Sequence, residues 1–159
     1  MKSKKEIYLI LHNIRSTHNV GSIFRTADAA GVSKIFLSGY TPSPVDNFGR
    51  ERKDIAKTAL GAEKAIPWQY SKTPNSFIKK LKEEGFSLVA IEQSSCSVDY
   101  KKIKIKYPVA ILVGNEVKGL SPSLINKCDQ VAEIPMKGKK ESLNVSVATG
   151  IALFRILGI

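Results

Sequence analysis

Apolar residues fall along this chain in two rhythms. Short unbroken runs alternate with stretches where apolar positions return every three or four residues. IYLILHNI, Ile7 to Ile14, is an unbroken run and predicts a strand covered on both faces. After the polar RSTHNVGS, the positions Val20, Ile23, Phe24, Ala27 and Ala30 keep a helical period that Gly31 stops. KIFLSGY follows as a strand, and TPSPVDNFGRER as a Pro/Gly-rich loop. AKTALGAEKA predicts a short helical turn, and IPWQYS a strand. In TPNSFIKKLKEEG, the stripe Phe77, Ile78 and Leu81 predicts an amphipathic helix capped by Thr73 or Asn75 and ended by Gly85. FSLVAIEQ and VAILVG are further strands. SPSLINKC is a short helix with Ser121 as N-cap and Pro122 in its first position. QVAEIP is the last strand and NVSVATGIALFRIL the last helix.

Strand and helix alternate throughout. The pattern predicts an α/β domain with a mostly parallel sheet and helices on both faces. Its 159 residues suit one domain with a proper core, expected to span 1–159 without an internal repeat or long linker. Ligands of such sheets bind beyond the carboxyl ends of the strands. Three loops at such ends are unusual: Arg15 to Val20, Gly114 to Gly119, and Met136 to Ser142.

Charge narrows the partner. Twenty-five Lys and Arg against 14 Asp and Glu leave a net +11, which suits a polyanion, with nucleic acid first and an anionic membrane second. No apolar run reaches the roughly 18 residues of a membrane span. The basic start MKSKKEIYLILHN lacks a small-residue cleavage site and reads as the approach to a strand, not as a signal peptide. Cys96 and Cys128 form no C-x-x-C and have only two histidines for company. Free thiols in a cytoplasmic protein without a metal site are the simplest account. Aromatics are few, at 8%, so no base-stacking platform is obvious.

The first loop and its helix place Asn19 where an N-cap belongs, and Gly21 where another chain or a ligand can come close. Arg25 interrupts the apolar surface between Phe24 and Ala27. It reads either as a surface arginine with a packed stem or as an anion-binding guanidinium near a helix start. The second loop follows a hydrophobic strand with Gly114, Asn115, Glu116 and Gly119. It matches neither phosphate-binding glycine pattern, and by pattern alone a strand-to-helix turn explains it. The third, in EIPMKGKKESLNVSVATGIALF, sets a basic loop before Ser142, Leu143 and Asn144 at a helix start. Free N–H groups there favour an electron-rich partner. Ser146, Thr149 and Gly150 leave one side of that helix small enough for close packing on a neighbour.

In this order, NIRSTHNVGSIFRTADAAG, ILVGNEVKGL and IPMKGKKESLNVSVATGIALF resemble the three signature motifs of the SpoU/TrmH branch of the SPOUT RNA methyltransferases. The resemblance runs from about Ile7 to Leu157, and SLNVSVA after IPM is its most specific part. It implies an α/β domain with a C-terminal deep trefoil knot, a homodimer, S-adenosylmethionine as methyl donor, and methylation of a ribose 2′-hydroxyl of tRNA or rRNA. The chain reads as a catalytic core with no added RNA-binding domain, which by analogy favours tRNA slightly.

The resemblance also assigns residues. Ile91, Gly114, Ile134, Met136, Ser142 and Leu143 would line the cofactor pocket. Arg15, Lys137, Lys139 and Lys140 would meet RNA phosphates. Asn19, Arg25, Glu116, Ser142 and Asn144 form the implied catalytic set. Arginine hardly ever loses its proton, so Arg25 fits a cation that binds a phosphate and stabilises the developing alkoxide better than a base. Asn19 and Asn144 would orient Arg25 or the ribose, Glu116 would hold the loops or a positive partner, and Ser142 would help fix the cofactor. Two alternatives stand beside this reading: a non-catalytic RNA-binding protein that keeps the fold, and a SPOUT enzyme that methylates an RNA base.

Overall fold

The computed structural model describes residues 5–159. Of the basic start, Met1 to Lys4 lie outside the described residues. In chain order the elements are β1 Ile7–His12, α1 Thr17–Ala29, β2 Lys34–Ser38, α2 Lys53–Ala59, α3 Ala62–Ala65, β3 Trp68–Ser71, α4 Asn75–Glu83, β4 Ser87–Ile91, β5 Val98–Asp99, β6 Val109–Val113, α5 Pro122–Asn126, β7 Gln130–Glu133 and α6 Val145–Leu157. The strands form one sheet in the order β3-β2-β1-β6-β4-β7-β5. Every pair in it is parallel.

The unbroken apolar runs have a simple cause. Side chains alternate across a strand, and here both faces are covered. Leu9 and Leu11 of β1 and Ile111 of β6 pack with Ile23 and Phe24 of α1, Ile55 of α2 and Leu153 of α6. Their neighbours Ile10, Ala110 and Leu112 point the other way, onto Phe77, Ile78 and Leu81 of α4 and Leu124 of α5. The expected mostly parallel sheet with helices on both faces is therefore present.

Local details differ from the sequence reading in instructive ways. Asn19 is not the N-cap of α1. Ser16 is, with its hydroxyl accepting from the Asn19 N–H at 3.1 Å, so the helix begins earlier and Asn19 is carried inward. Neither Thr73 nor Asn75 caps α4. Pro74 holds that position without a side-chain bond, and the Asn75 carbonyl accepts from Lys127 Nζ instead, at 2.6 Å. AKTALGAEKA is not one turn but α3 and the end of α2, separated by left-handed Leu60 and Gly61. β5 carries no apolar rhythm, because its two residues pair only with β7 at the sheet edge. Ser121 and Pro122 start α5 as read. The close neighbour of Gly21 is α2 of the same chain: a Cβ there would collide with Thr58 Oγ1 and the Ile55 carbonyl.

Candidate active site

Strand order reverses at β1. The chain moves outward through β2 and β3, then crosses to β4, and β6 inserts beside β1. Parallel sheets place ligands at such switch points, beyond the carboxyl ends. Here the loops after β4, β6 and β7 and the first turn of α6 enclose a cavity of about 290 Å³. Ile91, Gly114, Ile134, Met136, Ser142 and Leu143 all line it. Apolar side chains and backbone make up much of its wall, the usual makeup of a small-molecule site.

Sequence reading missed the cavity's charge. Glu92, Glu116, Glu133 and Glu141 are in the lining, and no Lys or Arg is. In a chain of net charge +11, the wall is locally acidic, which disfavours an anionic ligand and suits one that carries positive charge. The signal was present at Glu92 and Gln93, where LVAIEQ leaves the strand. Glu92 also shapes the wall, since its carboxylate accepts from Leu120 N–H at 2.7 Å and from Gln93 N–H at 2.9 Å. Gln93 in turn donates to the Glu141 carbonyl at 2.9 Å, tying the third loop to the end of β4.

The three motif loops meet through one carboxylate. Glu116 accepts from the N–H groups of Arg15, at 3.1 and 3.2 Å, and of Ser16, at 3.2 Å. It also accepts from the Asn19 amide at 3.4 Å. Asn19 Oδ1 accepts from the Asn144 side-chain amide at 3.3 Å. Asn144 is also the N-cap of α6, its oxygen taking the N–H groups of Ser146 at 2.9 Å and Val147 at 3.4 Å. Burial opposes the charge on Glu116, but bonds from its own N–H, from Arg15 and Ser16, and from Asn19 outweigh it. The carboxyl is held below its ordinary value and stays ionised. Glu116 therefore pins the free N–H groups before α1, as a carboxylate at a helix start should.

Arg25 is not joined to this group within one chain. It lies six residues after Asn19, and at about 100° per residue it faces a different side of α1. It is exposed. The bonds of Asn19 and Asn144 run to Glu116 and to each other, not to the guanidinium. Arg15, Lys137, Lys139 and Lys140 are exposed too, and the three lysines stand between Met136 and Glu141 of the cavity wall. The small side of α6 has a partner already, since a Cβ on Gly150 would sit 3.3 Å from Thr26 Cγ2 of α1. Its exposed stripe is Val147, Ile151 and Phe154. Cys96 and Cys128 are free thiols, and burial pushes Cys128 up to about 11. Among the described residues, no group of His, Cys, Asp or Glu is arranged to hold a metal ion, and no helix is long and apolar enough to cross a membrane.

A parallel sheet with a cavity beside its switch point, beyond the carboxyl ends of β6, β4 and β7 and closed by a loop that returns into the last helix, defines a doubly wound α/β protein with a small-molecule site. Residues 6–154 match the model of the SpoU rRNA Methylase family, and the chain belongs to that family. It is 33% identical over 153 residues to the tRNA (guanosine(18)-2′-O)-methyltransferase of Aquifex aeolicus, covering 96% of this chain and 69% of that one. It is 34% identical over 151 residues to the 23S rRNA (guanosine-2′-O-)-methyltransferase RlmB of Pseudomonas aeruginosa, covering 95% of this chain and 58% of that one. Among solved structures, the AdoMet-bound rRNA methyltransferase of Sinorhizobium meliloti superposes with a TM-score of 0.87 at 37% identity, over 97% of this chain and 56% of that one. The chain thus spans between about half and two thirds of these relatives.

Proposed function

We propose that this chain is an S-adenosylmethionine-dependent RNA methyltransferase acting on a ribose 2′-hydroxyl. The observation that carries the reading is the single cavity lined by all six residues expected at the cofactor, joined to Glu116 beside it. Its carboxylates and apolar walls fit a cationic, partly apolar ligand. When bound there, S-adenosylmethionine supplies a methyl group on a sulfonium that leaves as a neutral thioether.

The chain's own residues do the rest. Ile91, Ile134 and Leu143 exclude water and fix the ligand, and Ser142 contributes a hydroxyl at the mouth. The Glu116, Asn19 and Asn144 group sets the first and third loops at fixed separation. Alignment of the bound reactants, which those loops serve, supplies several kcal/mol and up to roughly 7–11 in ideal cases. Arg25 holds the phosphate beside the target ribose and stabilises the developing alkoxide while the hydroxyl proton passes to a phosphate oxygen of the RNA or to water. Arg15, Lys137, Lys139 and Lys140 add salt-dependent contacts to the RNA backbone. A second copy of the chain covers the exposed stripe on α6, and tRNA is the first substrate to test, in a cytoplasmic setting.

Incubating purified protein with labelled S-adenosylmethionine and RNA from cells lacking the gene tests the reading. The expected product resists alkaline hydrolysis at one nucleotide. Cofactor binding without transfer to tRNA or rRNA supports the non-catalytic alternative, and an alkali-labile methylated nucleotide supports base methylation. Sedimentation at micromolar concentration should give a dimer that Ile151→Glu converts to monomer. A wild-type monomer would remove the second copy from the proposal.

A further inference from the structure

The other half of the sheet's carboxyl edge, over β1, β2 and β3, carries a surface of which the reading above uses only Arg15. Gly39, at φ 65, turns the chain after β2 and sets Tyr40 on the outside, 56% exposed. The turn is held from several sides. Tyr40 N–H donates to Asn13 Oδ1 at 3.1 Å, and Tyr70 OH donates to the Gly39 carbonyl at 2.8 Å. Thr41 Oγ1 donates to the Leu11 carbonyl and accepts from Ile14 N–H, both at 3.0 Å. Asn13 takes a left-handed φ of 57, and a Cβ on Gly39 would collide with its side chain. A φ of this kind is uncommon outside glycine, so the turn is specified rather than incidental.

Tyr40 is also tied to the cavity. Asn115 Nδ2 donates to Tyr40 OH at 2.7 Å and to the Asn13 carbonyl at 3.0 Å, and Asn115 lines the cavity wall. An exposed aromatic ring is therefore fixed one hydrogen bond from the pocket. Tyr70 beside it is 46% exposed. Exposed basic residues stand in the neighbouring loops. Lys72 ends the β3 turn, its carbonyl taking Gly39 N–H at 3.1 Å. Lys118 N–H donates to Asn115 Oδ1 at 2.7 Å, and Arg15 follows Ile14.

We propose that Tyr40, with Tyr70 beside it, is the stacking platform for a base of the RNA strand whose ribose reaches the cavity mouth. The proposal rests on the RNA-methylation reading and names where that RNA is gripped. Every base has a π face, so a fixed ring accepts any of them, while Arg15, Lys72 and Lys118 take the flanking phosphates. The Tyr40 hydroxyl accepts from Asn115 and keeps its own proton for an acceptor on the nucleotide.

The test compares wild type, Tyr40→Ala, Tyr40→Phe and Tyr70→Ala. Each is assayed for methyl transfer to bulk tRNA and to ribosomal RNA from cells lacking the gene, for cofactor affinity by calorimetry, and for Tm. Stacking predicts that Tyr40→Ala raises the RNA KM about tenfold or more. Tyr40→Phe, which keeps the ring, should stay within about threefold of wild type, and Tyr70→Ala should fall between. Cofactor affinity should be unchanged in all. If Phe is as damaging as Ala and cofactor affinity falls with both, Tyr40 is only a brace for Asn115, and the platform is overturned. A normal RNA KM in Tyr40→Ala also overturns it while leaving the methyltransferase reading intact. Absence of transfer by wild type to either RNA overturns that reading first, and the platform with it.

Discussion

The two halves of the sheet's carboxyl edge are built for opposite guests. Over β6, β4 and β7 the loops close into a cavity with four glutamates and no Lys or Arg in its wall. Over β1, β2 and β3 the edge is open, with exposed tyrosines and with Arg15 and Lys72 in exposed or partly exposed positions. On the proposed reading a small cation enters the first half, while the RNA lies along the second and reaches the lysines at the rim of the first. The seam between them is built on Glu116, whose partners come from the loop after β1 and the start of α1. The net +11 of the whole chain therefore says little about the cavity. It describes the surface around it.

The comparison breaks first at Arg25. Arg25→Lys keeps the charge but loses the planar fork, and should lower methyl transfer by about 10²-fold. Because Arg25 is exposed, cofactor affinity and Tm should not move. Near-normal single-turnover transfer by the lysine variant would remove it from the mechanism.

The seam is tested next, at Asn144. Asn144→Ala removes the cap of α6 and should cost about 1 kcal/mol of stability. Asn144→Asp still accepts the bonds from Ser146 and Val147 but cannot donate to Asn19. It should hold its Tm and lose about tenfold in transfer, the worth of one such hydrogen bond. Equal melting losses in both variants would make Asn144 a cap and nothing more.

The closed half alone is reached through Gly114. A Cβ there would sit 2.6 Å from Leu120 Cδ2 and 2.9 Å from the Gly119 carbonyl carbon, so the loop must shift. Gly114→Ala should weaken cofactor binding severalfold, on the order of 1 kcal/mol of packing strain, while retention of bulk tRNA on filters stays unchanged. Parallel loss of both would mean the halves are one site.

The smallest effect is in pH. Burial lowers the pKa of His12, under the open half. The unfolded chain takes that proton first as pH drops below about 6.5, so stability declines from there toward the folded value. Glu116, depressed by its hydrogen bonds, stabilises above the ordinary glutamate range and loses that contribution progressively as pH falls from there through its folded value. Wild-type Tm should fall slightly between pH 7.5 and 5.5 and further below pH 4. His12→Asn should abolish the first step alone.

Much of this was legible in the chain. The cavity residues could be named because a strand run ending in glycine, or in a polar loop, marks a carboxyl end, and ligands of parallel sheets gather there. Glu116 was named, but its partners lie about 100 positions away, and no local rule reaches so far. Asn19 was placed at a cap because its residue type favours caps, yet Ser16 competed and won. Tyr40 was read as the tail of a strand. Only the turn at Gly39 and the reach of Asn115 reveal what its ring can do. Few aromatics argued against a stacking platform, but a count cannot say where the exposed ones stand.

One helix bears further thought. α1 carries both Asn19 and Arg25, and it is gripped on two sides: Gly21 leaves no room for a methyl group against α2, and Gly150 of α6 leaves little against Thr26. Those glycines act as machine tolerances. A single added carbon at Gly21 would tilt or slide the shaft, displacing the seam and the arginine together, whereas at Gly150 the Thr26 methyl need yield only slightly. A natural variant Gly21→Ala would then be scored as a mild change far from the cavity, while behaving in the cell like the loss of the protein.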